Sequence, residues 1–152
     1  MIHIGIDPDM RKPGVAIIQD GVYTSIQSIT NVELFALIEK HRGLASVMWH
    51  VEDVNAVSPT YYRARHGAVS KQAVQDNISQ KVGMVKALGT VIIDVLEYYA
   101  CNYELVKPLR GSFKKAKHEA ELFKKLTGWE GRTNQDSRDA AMLIFRFMGE
   151  AA

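Results

Sequence analysis

Short apolar runs separated by turn residues open the chain, and longer stretches with helical spacing take over after residue 70. Residues 2–7, Ile-His-Ile-Gly-Ile-Asp, read as a short central strand. A charged turn from Asp9 to Gly14 follows, with Pro13-Gly14 as its punctuation. Val15 to Gln19 and Val22 to Ile29 read as two strands joined at Asp20-Gly21, a strong hairpin signal. Leu34, Leu37 and Ile38 share one face of a helix over Val32–His41, for which Asn31 is a suitable N-cap. A strand at 46–51 then runs into Glu52.

From about Gln72 to Tyr99 the pattern is that of one long helix. Ile78, Val82, Val85, Leu88, Ile92, Val95, Leu96 and Tyr99 form a wide apolar stripe, and Gly83 and Gly89 permit close backbone approach. A strand at 102–107 follows, then a third helix around 113–127 ended by Gly128. A last helix, about 135–148, is capped by Thr133 or Asn134. The order β-β-β-α-β-α-β-α-α predicts one α/β domain over residues 1–152, with a five-stranded mixed sheet and helices on both faces. Its first three strands suit an antiparallel meander. The later ones need helical crossovers and therefore parallel pairing. Asp7 and Glu52 then lie at the carboxyl ends of neighbouring strands, where open α/β sheets usually carry ligands.

Residues 53–71 have no regular period. Asn55, Pro59, Tyr61, Tyr62, Arg63, Arg65, His66, Gly67 and Lys71 make a long aromatic and basic loop, a type that is either functional or disordered.

A chain of 152 residues, 47% hydrophobic and 24% charged, is one ordinary globular domain. Its net charge of +2 becomes informative only when divided along the chain. Residues 1–60 hold four Lys/Arg against seven Asp/Glu, residues 61–132 hold thirteen against seven, and residues 133–152 hold two against three. A basic centre flanked by acidic ends suits a polyanion drawn to one surface and delivered to an acidic site. The single Cys101 excludes an internal disulfide and a thiolate metal cluster, and reads as a small packed residue. No apolar run approaches the roughly 20 residues that span a bilayer, and the N-terminus lacks a signal core, so an intracellular, cytoplasmic protein is expected.

Four acids flank the apolar runs: Asp7, Glu52, Asp136 and Asp139. Taken singly, Asp7-Pro8 is an ordinary turn, Asp136 an acid at a helix N-terminus, and Glu52 a partner for a surface lysine. Taken together, carboxylates at the rims of buried elements need cationic compensation, and divalent ions supply it.

Gly5-Ile6-Asp7-Pro8 with its hairpin, Glu52 closing the fourth strand, and Asp136-x-x-Asp139-Ala140-Ala141 resemble the bacterial Holliday junction resolvases of the RuvC type. That family belongs to the ribonuclease-H-like nuclease superfamily. Gly83 through Val91 is similar to the family's long helix, and Val106-Lys107-Pro108 with the Lys-rich helix after it is similar to its DNA-facing segment. The family usually has glycine where this chain has Asp9, and residues 54–71 are this chain's own. Such divergence would suit a phage or plasmid relative of the bacterial enzyme.

The resemblance implies a ribonuclease-H-like fold and a Mg²⁺-dependent crossover junction endodeoxyribonuclease, with Mn²⁺ able to substitute. Asp7, Glu52, Asp136 and Asp139 are then the catalytic and metal-binding carboxylates, with two ions per site. Asp7 is the expected shared ligand; Glu52 holds one ion and Asp136 or Asp139 the other, the remaining acid serving the attacking water. Four such charges without metal predict raised pKa values and metal-free stability that falls as pH rises. Asp9 and Asp53 either touch metal or face solvent.

Lys107, Arg110, Lys114 and Lys117 are the expected phosphate contacts of the Lys-rich segment, whose Lys114, Lys117, His118, Glu121 and Lys125 share a helical face. His118 serves as a base, a phosphate contact or neither. Tyr61 and Tyr62 can stack on unpaired bases while Arg63, Arg65 and Lys71 take phosphates. The partner is branched DNA, above all a four-way junction, cut by a homodimer formed through the 72–99 helix. Two alternatives stay open: a broader nuclease for flaps, forks and three-way junctions, and a non-catalytic junction-binding protein.

Overall fold

Alternation along the first strand decides the architecture. In β1 (Ile2–Asp7), Ile2, Ile4 and Ile6 point to one side while His3, Gly5 and Asp7 point to the other. The computed structural model describes the backbone of residues 1–56 and 71–150 and the side chains of 1–56 and 76–150. β2 (Gly14–Gln19) and β3 (Val22–Ser28) follow β1 in an antiparallel meander, and β4 (Val47–Glu52) and β5 (Asn102–Val106) add in parallel on its other side. The order across the sheet is β3-β2-β1-β4-β5, so β1 is central. The tight β2–β3 turn has positive φ at both Asp20 (51°) and Gly21 (78°), as the hairpin signal requires.

Helices cover both faces. α1 (Asn31–Lys40) and α2 (Lys71–Tyr98) lie over the isoleucine side of β1, where Leu34, Ile38, Leu88, Ile92 and Leu96 close a core with Ile4, Ile6, Trp49 and Val51. Cys101 belongs to that core as a packed small residue. The opposite face carries α3 (Gly111–His118), α4 (Ala120–Thr127) and α5 (Gln135–Leu143), whose Ala116, Phe123 and Ala140–Leu143 pack on Ala16, Ile18, Tyr23 and Ile26. Tyr23 also ties β3 to α5, its hydroxyl donating to the Ala141 carbonyl at 2.7 Å.

Three local expectations change. Thr30, not Asn31, caps α1: its hydroxyl oxygen accepts from the Glu33 amide, and the Glu33 carboxylate accepts from the Thr30 amide. The helix expected over 113–127 is two helices broken at Glu119 (φ −106°, ψ 95°), so Lys114 and Lys117 belong to α3 and Lys125 to α4 instead of one continuous helix. No proline or glycine marks this break; packing makes it, because both Ala116 and Phe123 are buried in the same core. Finally, α5 ends at Leu143 and a 3-10 turn, Phe145–Phe147, replaces its expected last turn. Phe147 stacks on His3 with centroids 3.7 Å apart. Buried His50 is satisfied by His3 (3.0 Å) and by the Glu104 carboxylate (2.8 Å), which Arg146 also grips.

Candidate metal centre

The alternation that buries the isoleucines also aims the acids. Ile6 pairs with Val51 across the parallel β1–β4 ladder, so Asp7 and Glu52 are the next residues on two adjacent strands. Both belong to the positional set of Gly5 and His50, on the face that α5 covers. α5 brings the third acid. It lies unusually close to the sheet because two strand glycines face it: a Cβ on Gly5 would collide with the Ala140 carbonyl, and one on Gly14 with the Asp136 backbone. Asn134 fixes the start of the helix, exchanging hydrogen bonds with Ser137 as a capping box.

The outcome is a cluster of Asp7, Glu52 and Asp139 with one ligand oxygen from each within 4.8 Å of the others. Asp7 and Asp139 are each only 6% exposed. Asp136 is not part of this group. It sits half-buried at the edge, close enough that Lys117, Asp9 and Asp139 all act on its charge. Being three residues apart therefore does not make the two helical acids equivalent; α5 sinks Asp139 into the site and leaves Asp136 on the rim.

Burial is the first cause of the shifts at Asp7, Glu52 and Asp136. The Asp7 carboxyl is pushed up to about 9 by burial, with Glu52 and Asp139 reinforcing the effect and Lys117 opposing it. Glu52 is also raised, first by burial, with Asp139 adding to the effect and the hydrogen bond between Glu52 and Asp7 opposing it. Asp136 is raised for the same leading reason.

Among the described residues, one cation enters the centre. Lys117 extends its Nζ to 2.5 Å from Asp139 Oδ2 and 3.5 Å from Asp7 Oδ2, and these acids hold its pKa above the usual lysine value against the effect of its own burial. Arg138, lying between the two helical acids in sequence, donates from Nε to the Lys117 carbonyl at 2.9 Å and so ties α3 to α5 beside the site. The sequence pointed to Lys117 as a phosphate contact; its direct role among the acids had no signal except its position in a basic run.

The other expected site residues divide. Lys107, Arg110 and Lys114 are exposed, and Lys114 is near enough to Glu52 to lower its pKa. His118 is exposed at the end of α3. Asp9 and Asp53 shape turns: Asp9 Oδ1 accepts from the amides of Arg11 and Lys12, and Asp53 Oδ1 from those of Asn55 and Ala56. Tyr61, Tyr62, Arg63, Arg65 and the Lys71 side chain lie outside the described residues.

The donor set fits a hard divalent cation. All three ligands are carboxylates, as Mg²⁺ or Mn²⁺ chemistry favours. Asp139 Oδ1 is buried with no hydrogen-bond partner among the described residues, an open lone pair facing a charge-deficient site. Among the described residues, Lys117 is the one cation in an ion pair with these acids.

Topology and site together define an α/β protein of ribonuclease-H-like architecture with a clustered carboxylate triad, consistent with a metal-dependent nuclease. No family model and no curated protein matches the chain. Among solved structures it is similar to Thermus thermophilus RuvC in complex with a Holliday junction substrate, with TM-score 0.57 and 18% identity over 99% of this chain and 98% of that one. It is similar also to the Thermus thermophilus RuvC structure, with TM-score 0.52 and 14% identity over the same shares. At such identities the likeness is one of fold. Among the described residues, no helix is long and apolar enough to cross a membrane.

Proposed function

We propose that the chain is a divalent-metal-dependent endonuclease that resolves four-way DNA junctions by paired phosphodiester hydrolysis. The buried cluster of Asp7, Glu52 and Asp139, with the unpartnered Asp139 Oδ1, carries this reading. Asp7, Glu52 and Asp139 would hold the divalent metal, and Asp136 at the rim would orient or deprotonate the attacking water. Mg²⁺ or Mn²⁺ bound there supplies Lewis-acid charge for the developing oxyanions and lowers the pKa of the attacking water.

The protein's own groups do the rest. Lys117 neutralises part of the acidic charge before substrate arrives and lies where a scissile phosphate would approach. Lys114, beside Glu52, and the exposed Lys107 and Arg110 offer phosphate contacts. Beyond the described residues, Tyr61, Tyr62, Arg63, Arg65 and Lys71 belong to the same reading as stacking and phosphate-binding groups at the branch point. This reading keeps the expectation of an intracellular enzyme in a bacterial, phage or plasmid setting.

Two symmetry-related cuts call for a C₂ dimer. Met84, Val91 and Tyr98 recur every seven residues on α2 and are 50%, 44% and 82% exposed, an apolar seam suited to a second copy of the helix.

A cleavage panel of four-way, three-way, flap, linear duplex and RNA/DNA substrates, run with Mg²⁺ and with Mn²⁺, tests the reading. Paired cuts across four-way junctions are expected. Equal cutting of flaps and three-way junctions would favour the broader branched-DNA nuclease. Tight junction binding without cutting in either metal would replace the proposal with a binding protein.

A further inference from the structure

Next to the carboxylates lies a cleft of about 290 Å³, bounded by Glu52, Val54, Lys81, Val82, Val85 and Lys86. The fold makes it deliberately. Leu88, Ile92 and Leu96 on α2 are buried in the core, whereas residues 76–84 nearer its N-terminus are exposed. Ile78, Val82 and Val85 prolong that apolar stripe, with Ile78 and Val82 about two-fifths exposed. The chain leaving β4 turns on the Asp53 carboxylate and brings Val54 back against α2. Gly89 admits it: a Cβ there would lie 2.7 Å from Val54 Cγ2. Three valines thus form an aliphatic floor, two lysines edge it, and Glu52 borders both the cleft and the metal centre.

Those properties select an occupant. The volume is at the small end of ligand sites, which run from roughly 300 to 1,000 Å³, so one nucleobase-sized group enters and a duplex does not. An apolar floor takes the face of a base, and ammonium groups on the rim take the phosphates flanking it. Glu52 is the sole acid among the lining residues, and its charge is directed to the centre it shares with Asp7. Because Glu52 is common to both, a nucleotide in the cleft adjoins the phosphate at the carboxylates.

We propose that this cleft is a subsite for one unpaired nucleotide next to the cleaved phosphate, its base against Val54, Val82 and Val85 and its phosphate on Lys81 and Lys86. Its use in a reaction rests on the nuclease reading above; its existence as a binding site does not. An unpaired nucleotide is available where strands diverge, so the subsite favours branch points over continuous duplex.

The test is a methyl NMR titration of the metal-free protein with dAMP, dTMP, 2-deoxyribose 5-phosphate and inorganic phosphate. Saturable shifts at the Val54, Val82 and Val85 methyls are expected with both nucleotides, with at least about fivefold weaker binding of the base-free sugar phosphate. Val82→Asp should abolish them, and Lys81→Ala with Lys86→Ala should weaken them by about fivefold. These side chains lie on the cleft surface, and thermal unfolding verifies that each variant is folded. No shift at the three valines, equal affinity for sugar phosphate, or unchanged binding by folded Val82→Asp would overturn the subsite. The cleavage panel reports separately: a protein that cuts junctions but ignores mononucleotides removes the cleft, and one that binds them but cuts nothing removes the nuclease.

Discussion

The ammonium of Lys117 stands 2.5 Å from Oδ2 of Asp139, so a cation carried by α3 occupies the carboxylate centre built by β1, β4 and α5. It also lies 3.5 Å from Oδ2 of Asp7. A resident ammonium compensates part of the acidic charge, and for the same reason it competes with any divalent ion for these oxygens.

Lys117→Met keeps the aliphatic stem and removes the charge. Metal-free protein should lose about 2–3 kcal/mol near pH 8, because breaking a buried pair leaves its acids uncompensated. Mn²⁺ should bind roughly tenfold more tightly, a gain of about 1.4 kcal/mol. Calorimetric titration with Mn²⁺ and thermal unfolding measure the two effects. Weaker Mn²⁺ binding by the variant would mean that Lys117 supports the ion instead of competing with it.

The raised acids give the metal-free protein a defined pH dependence. Asp7 titrates near 4 when unfolded and at about 9 when folded, so between these values the folded state holds more protons. Stability therefore falls as pH rises through that window, and the upward shifts of Glu52 and Asp136 act in the same direction. Asp7→Asn removes the largest contributor. At pH 8 it should raise the metal-free Tm by roughly 2–8 °C, about 1–2 kcal/mol, flatten the pH slope and abolish cleavage while junction binding persists. Scanning calorimetry from pH 5 to 9, with and without saturating Mg²⁺, tests the sign. A metal-free Tm that climbs with pH would contradict the burial argument.

Strand alternation and turn chemistry made most of the sheet legible. Ile4-Gly5-Ile6-Asp7, the Asp20-Gly21 hairpin and the run ending at Glu52 led to adjacent parallel strands, and the sheet has that arrangement. Convergence of Asp139 with Asp7 and Glu52 was also expected from the resemblance. The separation of Asp136 from that group was not, because helical spacing says nothing of how deeply α5 sinks. That depth is set by Gly5 and Gly14, legible only as part of a motif and of a turn until a helix was seen above them. Packing also decided the break at Glu119, which periodicity passes through unmarked. Gly83 and Gly89 looked alike in sequence, yet among the described residues only Gly89 has a close neighbour.

Gly14 and Gly83 consequently have opposite expectations. A methyl at Gly14 meets the Asp136 backbone, which cannot yield without moving α5, so Gly14→Ala should cost about 2–3 kcal/mol and lower cleavage by displacing Asp139. Among the described residues nothing lies within 4 Å of a Cβ at Gly83 on α2, where alanine should stabilise the protomer by up to about 1 kcal/mol through helix propensity. Chemical denaturation of dilute protein compares them directly. A neutral Gly14→Ala would show that α5 can sit higher on the sheet than its contacts imply.

The exposed seam on α2 makes the proposed dimer testable without disturbing the protomer. Met84 and Val91 are 50% and 44% exposed while Leu88 and Ile92, on the adjoining face, hold the helix to the core. Glutamates at both seam positions would set like charges against each other across a two-fold interface, yet cost the isolated domain no more than about 0.5 kcal/mol each. Met84→Glu with Val91→Glu should therefore sediment as a folded monomer where the parent sediments as a dimer. Each centre would remain intact, so junction cleavage should yield single nicks in place of paired cuts, visible as a persistent nicked intermediate on circular junction substrates. A double variant that still sediments as a dimer would move the interface away from this helix face, and a monomeric parent that makes paired cuts would remove the need for one.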